Sequence, residues 1–157
     1  MKSFLIILAL LLAAILQITL VPFLAFKGVS PNLVLLLISF LVIFKGFQQS
    51  WWLVILAGLF LDLFSGLPFG LISLSLLVTV YLIDLFNRNV FSVVRFWVMT
   101  ILIISATLIY DLLLFGLSRI FQIDSVLGPK YLFIEIVYNL LLTVIFFYGA
   151  KKVLHQK

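Results

Sequence analysis

From Phe4 to Phe26 the chain runs 23 residues without a charge, relieved only by Gln17, Thr19 and Pro22. About 20 apolar residues cross the hydrocarbon of a bilayer as a helix. The stretch exceeds the roughly 7–15 apolar residues of a cleaved signal peptide, so it reads as a retained first helix. Further apolar runs cover 33–44, 51–64, 67–86, 90–117 and 131–150. The second and third are short, yet Lys45, Gln48, Gln49 and Ser50 between them indicate emergence into water rather than a re-entrant hairpin. Trp51 and Trp52 suit an interfacial belt. The fifth, at 28 residues, must tilt or project beyond the hydrocarbon.

Composition agrees with the pattern. The chain is 66% hydrophobic and 10% charged, against about 45–50% and about 25% in soluble domains. Fifteen charged residues cannot cover a water-soluble globule of this size, and disordered chains are poor in the Leu, Ile, Val and Phe that dominate here. The expected fold is an all-α integral membrane protein of six transmembrane helices, about 4–26, 31–47, 49–64, 67–86, 90–117 and 131–150, forming a single polytopic domain over 1–157.

Six spans place both termini on one side. Lys2, Lys45, Arg88, Arg95, Lys151, Lys152 and Lys157 then share that side, against Lys27, Arg119 and Lys130 opposite. Seven against three makes the termini cytoplasmic by the positive-inside rule. The same scatter argues against nucleic acid, because the basic residues form no patch. Cysteine is absent and the one histidine, His155, lies in the basic tail. Thiolate or His-cluster metal sites and Cys- or His-based catalysis are therefore not expected. No catalytic residue, metal ligand or cofactor is assigned.

The polar residues inside the runs are the informative ones, because an unpaired charge in a membrane is costly. Asp62 precedes Ser65, Gly66, Pro68, Phe69 and Gly70. One reading is a tight hairpin in which Gly66 ends a helix, Pro68 opens the next in its first turn and Asp62 is solvated. The other is a fixed non-helical elbow at the outer surface, whose carboxylate organises a partner or a loop. Asp84, Arg88 and Arg95 stand at i, i+4 and i+11. Asn87-Arg88-Asn89 reads as a turn, with Asp84 and Arg88 an interfacial ion pair and Arg95 an anchor or an anionic-lipid contact. Asp111, Glu135 and Asn139 can meet across the last two helices with Asn139 bridging, as packing contacts or as a proton or substrate site. Ala9 and Ala13 have the spacing that lets two helices approach closely.

Pro31-Asn32-Leu33 and the segment Gly58-Leu59-Phe60-Leu61-Asp62-Leu63-Phe64-Ser65-Gly66-Leu67-Pro68-Phe69-Gly70 resemble the bacterial rod shape-determining protein MreD family. That family carries a Pro-Asp/Asn start to its second helix and a Gly-x-x-x-Asp-x-x-Ser-Gly-x-Pro-x-Gly elbow after its third. The resemblance implies a non-enzymatic inner-membrane subunit of the elongasome, the machinery of side-wall peptidoglycan synthesis. The implied partners are the bitopic protein MreC, the actin-like MreB, a RodA-like polymerase and a class B penicillin-binding protein. The family's helical arrangement is also similar to the substrate-binding component of energy-coupling-factor vitamin transporters. That likeness is an alternative reading, in which Ala9 and Ala13 would contact a coupling subunit.

Overall fold

The computed structural model of the protein describes the backbone of residues 2–90, 96–123 and 131–154, and the side chains of 6–89, 96–123 and 131–146. Arg95, Lys130, His155 and Lys157 lie outside the described residues, as do the side chains of Lys2, Lys151 and Lys152. The described chain is all-helical: α1 (Lys2–Thr19), α2 (Leu33–Lys45), α3 (Phe47–Ser65), α4 (Leu71–Val90), α5 (Phe96–Ile120) and α6 (Leu132–Leu154). The stretches Phe47–Ser65, Leu71–Asn89 and Phe96–Ile120 are long and apolar enough to cross a membrane; Ile6–Thr19, Leu33–Lys45 and Leu132–Phe146 are shorter apolar helices.

Of the boundaries that differ from those expected of the apolar runs, three bear on the polar residues. The first helix stops at Thr19 rather than running to Phe26. Pro22 cannot donate to a continuing helix, and Val21–Leu24 tighten into a 3₁₀ turn. A two-residue bridge between Phe26 and Val29 then turns the chain back. The fourth helix begins at Leu71, so Pro68 lies in the connection and not in a first helical turn. At its other end α4 runs through Asn87-Arg88-Asn89 to Val90, so those residues are its last turn and not a loop.

What keeps them helical is a set of contacts to the neighbouring helix end. Asn87 Nδ2 donates to the Ile43 carbonyl at 3.2 Å, one of the carbonyls that the end of α2 leaves without a helical partner. The Arg88 guanidinium lies over Gly46, where a Cβ would stand 3.0 Å from Arg88 Nη2. Its position near the negative end of α2 is favourable. Arg88 also pairs with Asp84 at 2.9 Å, and the Asp84 side chain is only 7% exposed. Asp84 and Arg88 thus join the tight α2–α3 connection to the end of α4.

The shortest of these helices sits in the middle. α2 touches every other one, and a helix that is hydrophobic all round must be buried. Its Val34, Leu35, Ile38 and Val42 pack with Ala13 and Ala14 of α1, Val54 of α3 and Leu76 of α4. Its Leu36, Phe40 and Ile43 pack with Ile83 of α4 and with Met99, Leu102 and Ala106 of α5. Asn32, Val34 and Leu35 at the N-terminus of α2 are buried, so the first backbone N–H groups of this helix need partners from the protein.

Candidate functional site

The family-like segment forms a closed hydrogen-bonded corner between α3 and α4. Gly66 ends α3 in the left-handed conformation, φ 69° and ψ 3°, which costs glycine nothing and other residues about 1–2 kcal/mol. Ser65 Oγ donates to the Asp62 carbonyl at 3.2 Å and accepts from Leu67 N at 3.1 Å. Pro68 bars any return to the α3 helix. Gly70 then caps α4, its carbonyl accepting from Leu74 N at 2.9 Å.

Asp62 holds this corner together. Its Oδ1 accepts from Ile72 N at 2.8 Å; its Oδ2 accepts from Ser73 N at 3.1 Å and from Ser73 Oγ at 2.7 Å. A carboxylate from one helix thus caps the first turn of the next, where the backbone donors and the helix dipole both favour negative charge. The side chain is 4% exposed, so it is not solvated as the simple hairpin reading expects. Gly58, one turn earlier, makes the approach possible: a Cβ there would lie 2.5 Å from the Ser73 Cα. The spacing of Gly58 and Asp62 places a gap and an acceptor on one face of α3, opposite Ser73. Phe69 and Pro68 face away from the bundle, Phe69 with 67% of its surface exposed.

Beside this corner lies the N-terminus of α2, held by polar side chains from three other helices or their edges. Asn32 Oδ1 accepts from Leu35 N at 3.0 Å, the usual capping bond. It also accepts from Gln17 Nε2 at 3.1 Å. Gln17 Oε1 accepts from Val34 N at 2.8 Å, so α1 contributes a second cap. The backbone N–H of Asn32 donates to Asn139 Oδ1 of α6 at 3.0 Å. Asn139 Nδ2 in turn donates to Thr107 Oγ1 of α5 at 3.0 Å. Tyr138 Oη donates to the Leu24 carbonyl at 3.0 Å, tying α6 to the turn after α1.

Asp111 of α5 and Glu135 of α6 come together in the wall of one cavity. Asn139 does not bridge them. It stands one turn further along α6, where α2 offers a buried backbone donor that outcompetes a distant carboxyl group. Beside the α2 N-terminus the helices line a half-open cavity of about 480 Å³. The turn 28–32, Gln17, and Ser65 with Leu67 of the corner form one part of its wall. Tyr110, Asp111, Phe115, Tyr131 and Glu135 form the part contributed by α5, α6 and the residue preceding α6. Among the described residues no group of three or more His, Cys, Asp or Glu could hold a metal ion.

Ala9 and Ala13 do not share a buried face. Ala9 is exposed, whereas Ala13 and its neighbour Ala14 pack into the core against α2. Sequence reasoning singled out neither Gln17 nor Tyr110 as a site residue, and quoted Asn32 only for its family resemblance. Gln17 is the one amide in the first apolar run, a signal that could have marked it.

No curated protein and no solved structure gives a significant match to the chain. The family model of the rod shape-determining protein MreD matches residues 1–153 of the 157. The described chain supplies all-helical, membrane-capable elements over that match, and the protein belongs to the MreD family, with a role in determining rod shape.

Proposed function

We propose that the protein is a six-span, non-enzymatic assembly subunit of the cell-wall elongation machinery. It lies as one polytopic domain in the bacterial inner membrane, both termini in the cytoplasm, in an arrangement similar to the substrate-binding component of energy-coupling-factor transporters. In this reading the Asp62–Gly70 corner faces outward and binds an MreC-like bitopic protein. A RodA-like polymerase, a class B penicillin-binding protein and actin-like MreB join through the same assembly.

The observation that carries the reading is the Asp62 corner. Five bonds lock it, while Phe69 stays exposed at its tip. A rigid turn presenting an aromatic ring suits recognition of a partner more than a hinge. The split of seven Lys and Arg against three supports the orientation. The short α2 supports six spans as well, since neighbouring helices cover it on every side.

The test is co-purification from native membranes. The wild-type chain is expected to bring down an MreC-like protein, and Phe69→Ala to bring down much less at equal abundance. Recovery of no such partner with the wild-type chain contradicts the proposal.

A further inference from the structure

The cavity beside the α2 N-terminus has room for a small molecule. Its volume, about 480 Å³, falls within the roughly 300–1,000 Å³ of small-molecule sites. Its wall comes from segments far apart in sequence, so its shape depends on the whole bundle. Two polar side chains of that wall, Asn32 and Tyr110, are buried almost completely.

The fold does not use up the hydrogen-bonding capacity of this wall. The Asn32 oxygen accepts from Leu35 N and Gln17 Nε2, and the Asn32 amide has the Tyr110 hydroxyl as its neighbour. The proton of that hydroxyl finds no acceptor among the described residues. A buried donor in this position costs about 1–3 kcal/mol unless water or a ligand accepts from it. Gln17 Nε2 spends one of its two N–H donors on Asn32. The same wall carries the carboxyl groups of Asp111 and Glu135, both half-buried.

A wall that mixes donors and acceptors selects a ligand whose own groups are both. A hydroxyl donates one hydrogen bond and accepts two. It therefore pairs with amide and phenol donors, and with a carboxyl group whether ionised or protonated. Several hydroxyls fixed on one ring meet such a wall with little ordering cost. A sugar ring also presents a face of C–H groups. The rings of Phe115 and Tyr131 in the wall have the electron-rich faces that such hydrogens prefer.

We propose that this cavity binds a sugar ring. Its hydroxyls are shared between the Tyr110 and Asn32 side chains and the carboxyl groups of Asp111 and Glu135, and its C–H face lies against an aromatic ring. The sugar can arrive as the headgroup of a glycolipid or as a free molecule.

Two measurements on the full chain decide this. The first reconstitutes it in vesicles of equal monoglucosyldiacylglycerol and phosphatidylcholine, extracts it, and quantifies the retained lipid by mass spectrometry. The second titrates glucose, galactose and mannose into the chain in phosphatidylcholine nanodiscs and follows thermal unfolding. Sorbitol is the control, because it has the hydroxyls without the ring and matches any general stabilisation by an excluded polyol. The hydrogen bonds at stake set the expected preference for the sugar ring at about tenfold. Enrichment of the glycolipid identifies a lipid source, and saturable stabilisation by a hexose without enrichment identifies a free one. Tyr110→Phe, which keeps the aromatic ring and removes the hydroxyl, should reduce either preference about fivefold. Ser30→Phe, which adds bulk to the wall and leaves the polar groups in place, should abolish it and decides the matter if Tyr110→Phe does not fold. Absence of both preferences in the wild type overturns the proposal. So does a preference undiminished in folded Tyr110→Phe, or in Ser30→Phe when Tyr110→Phe does not fold.

Discussion

Asp62 satisfies the backbone donors of Ile72 and Ser73 and the Ser73 hydroxyl with one carboxylate. Replacing it by Ala leaves two backbone N–H groups unpaired in a buried place, at a cost of about 2–4 kcal/mol. Asn keeps one acceptor oxygen and should cost clearly less. Thermal unfolding in one detergent should rank the three chains as Asp62, then Asn, then Ala. An Ala variant as stable as wild type would mean that water reaches the turn. The sequence marks Asp62 as unusual through its apolar neighbours. It does not choose between solvated and capping, because the deciding bonds reach 10 and 11 residues onward across a turn. Asn139 is less legible still. Its partner, the N–H of Asn32, is 107 residues away, and no spacing rule on α6 says which helix end lies opposite.

At the scale of elements, the α3–α4 hairpin rests on two glycines with different tasks. Gly58→Ala drives a Cβ to 2.5 Å from the Ser73 backbone, so the helices must part, at about 1–3 kcal/mol. At Gly66→Val the added Cβ meets no neighbour, and the left-handed backbone sets a conformational cost of about 1–2 kcal/mol. Ser65→Ala gives up one exposed and one part-buried bond, worth about 1 kcal/mol. Chemical or thermal unfolding of the three variants should show Gly58 and Gly66 as costly and Ser65 as tolerant. Equal tolerance at Gly66 and Ser65 would make the corner a plain connector. The existence of all six helices is legible in the apolar runs. Their ends are not, since lipid accepts the same apolar side chains on a 3₁₀ turn at Val21–Leu24 as on an α-helix. The tie at the α2 N-terminus predicts that Asn139→Leu costs about 1–3 kcal/mol by stranding the Asn32 N–H, readable in the same unfolding assay.

For the whole molecule, orientation and role are separate claims with separate tests. The chain has no cysteine, so single cysteines report topology without a background. Phe69→Cys should react with a membrane-impermeant maleimide in intact spheroplasts, and Gln48→Cys only after permeabilisation. The reverse pattern would invert the protein. Role is tested in a rod-shaped host that carries no second copy. Deletion should round or widen the cells. The wild-type chain should restore rods, and Asp62→Ala present in the membrane at equal abundance should not. Cells that stay rod-shaped after clean deletion would contradict the assignment to shape determination.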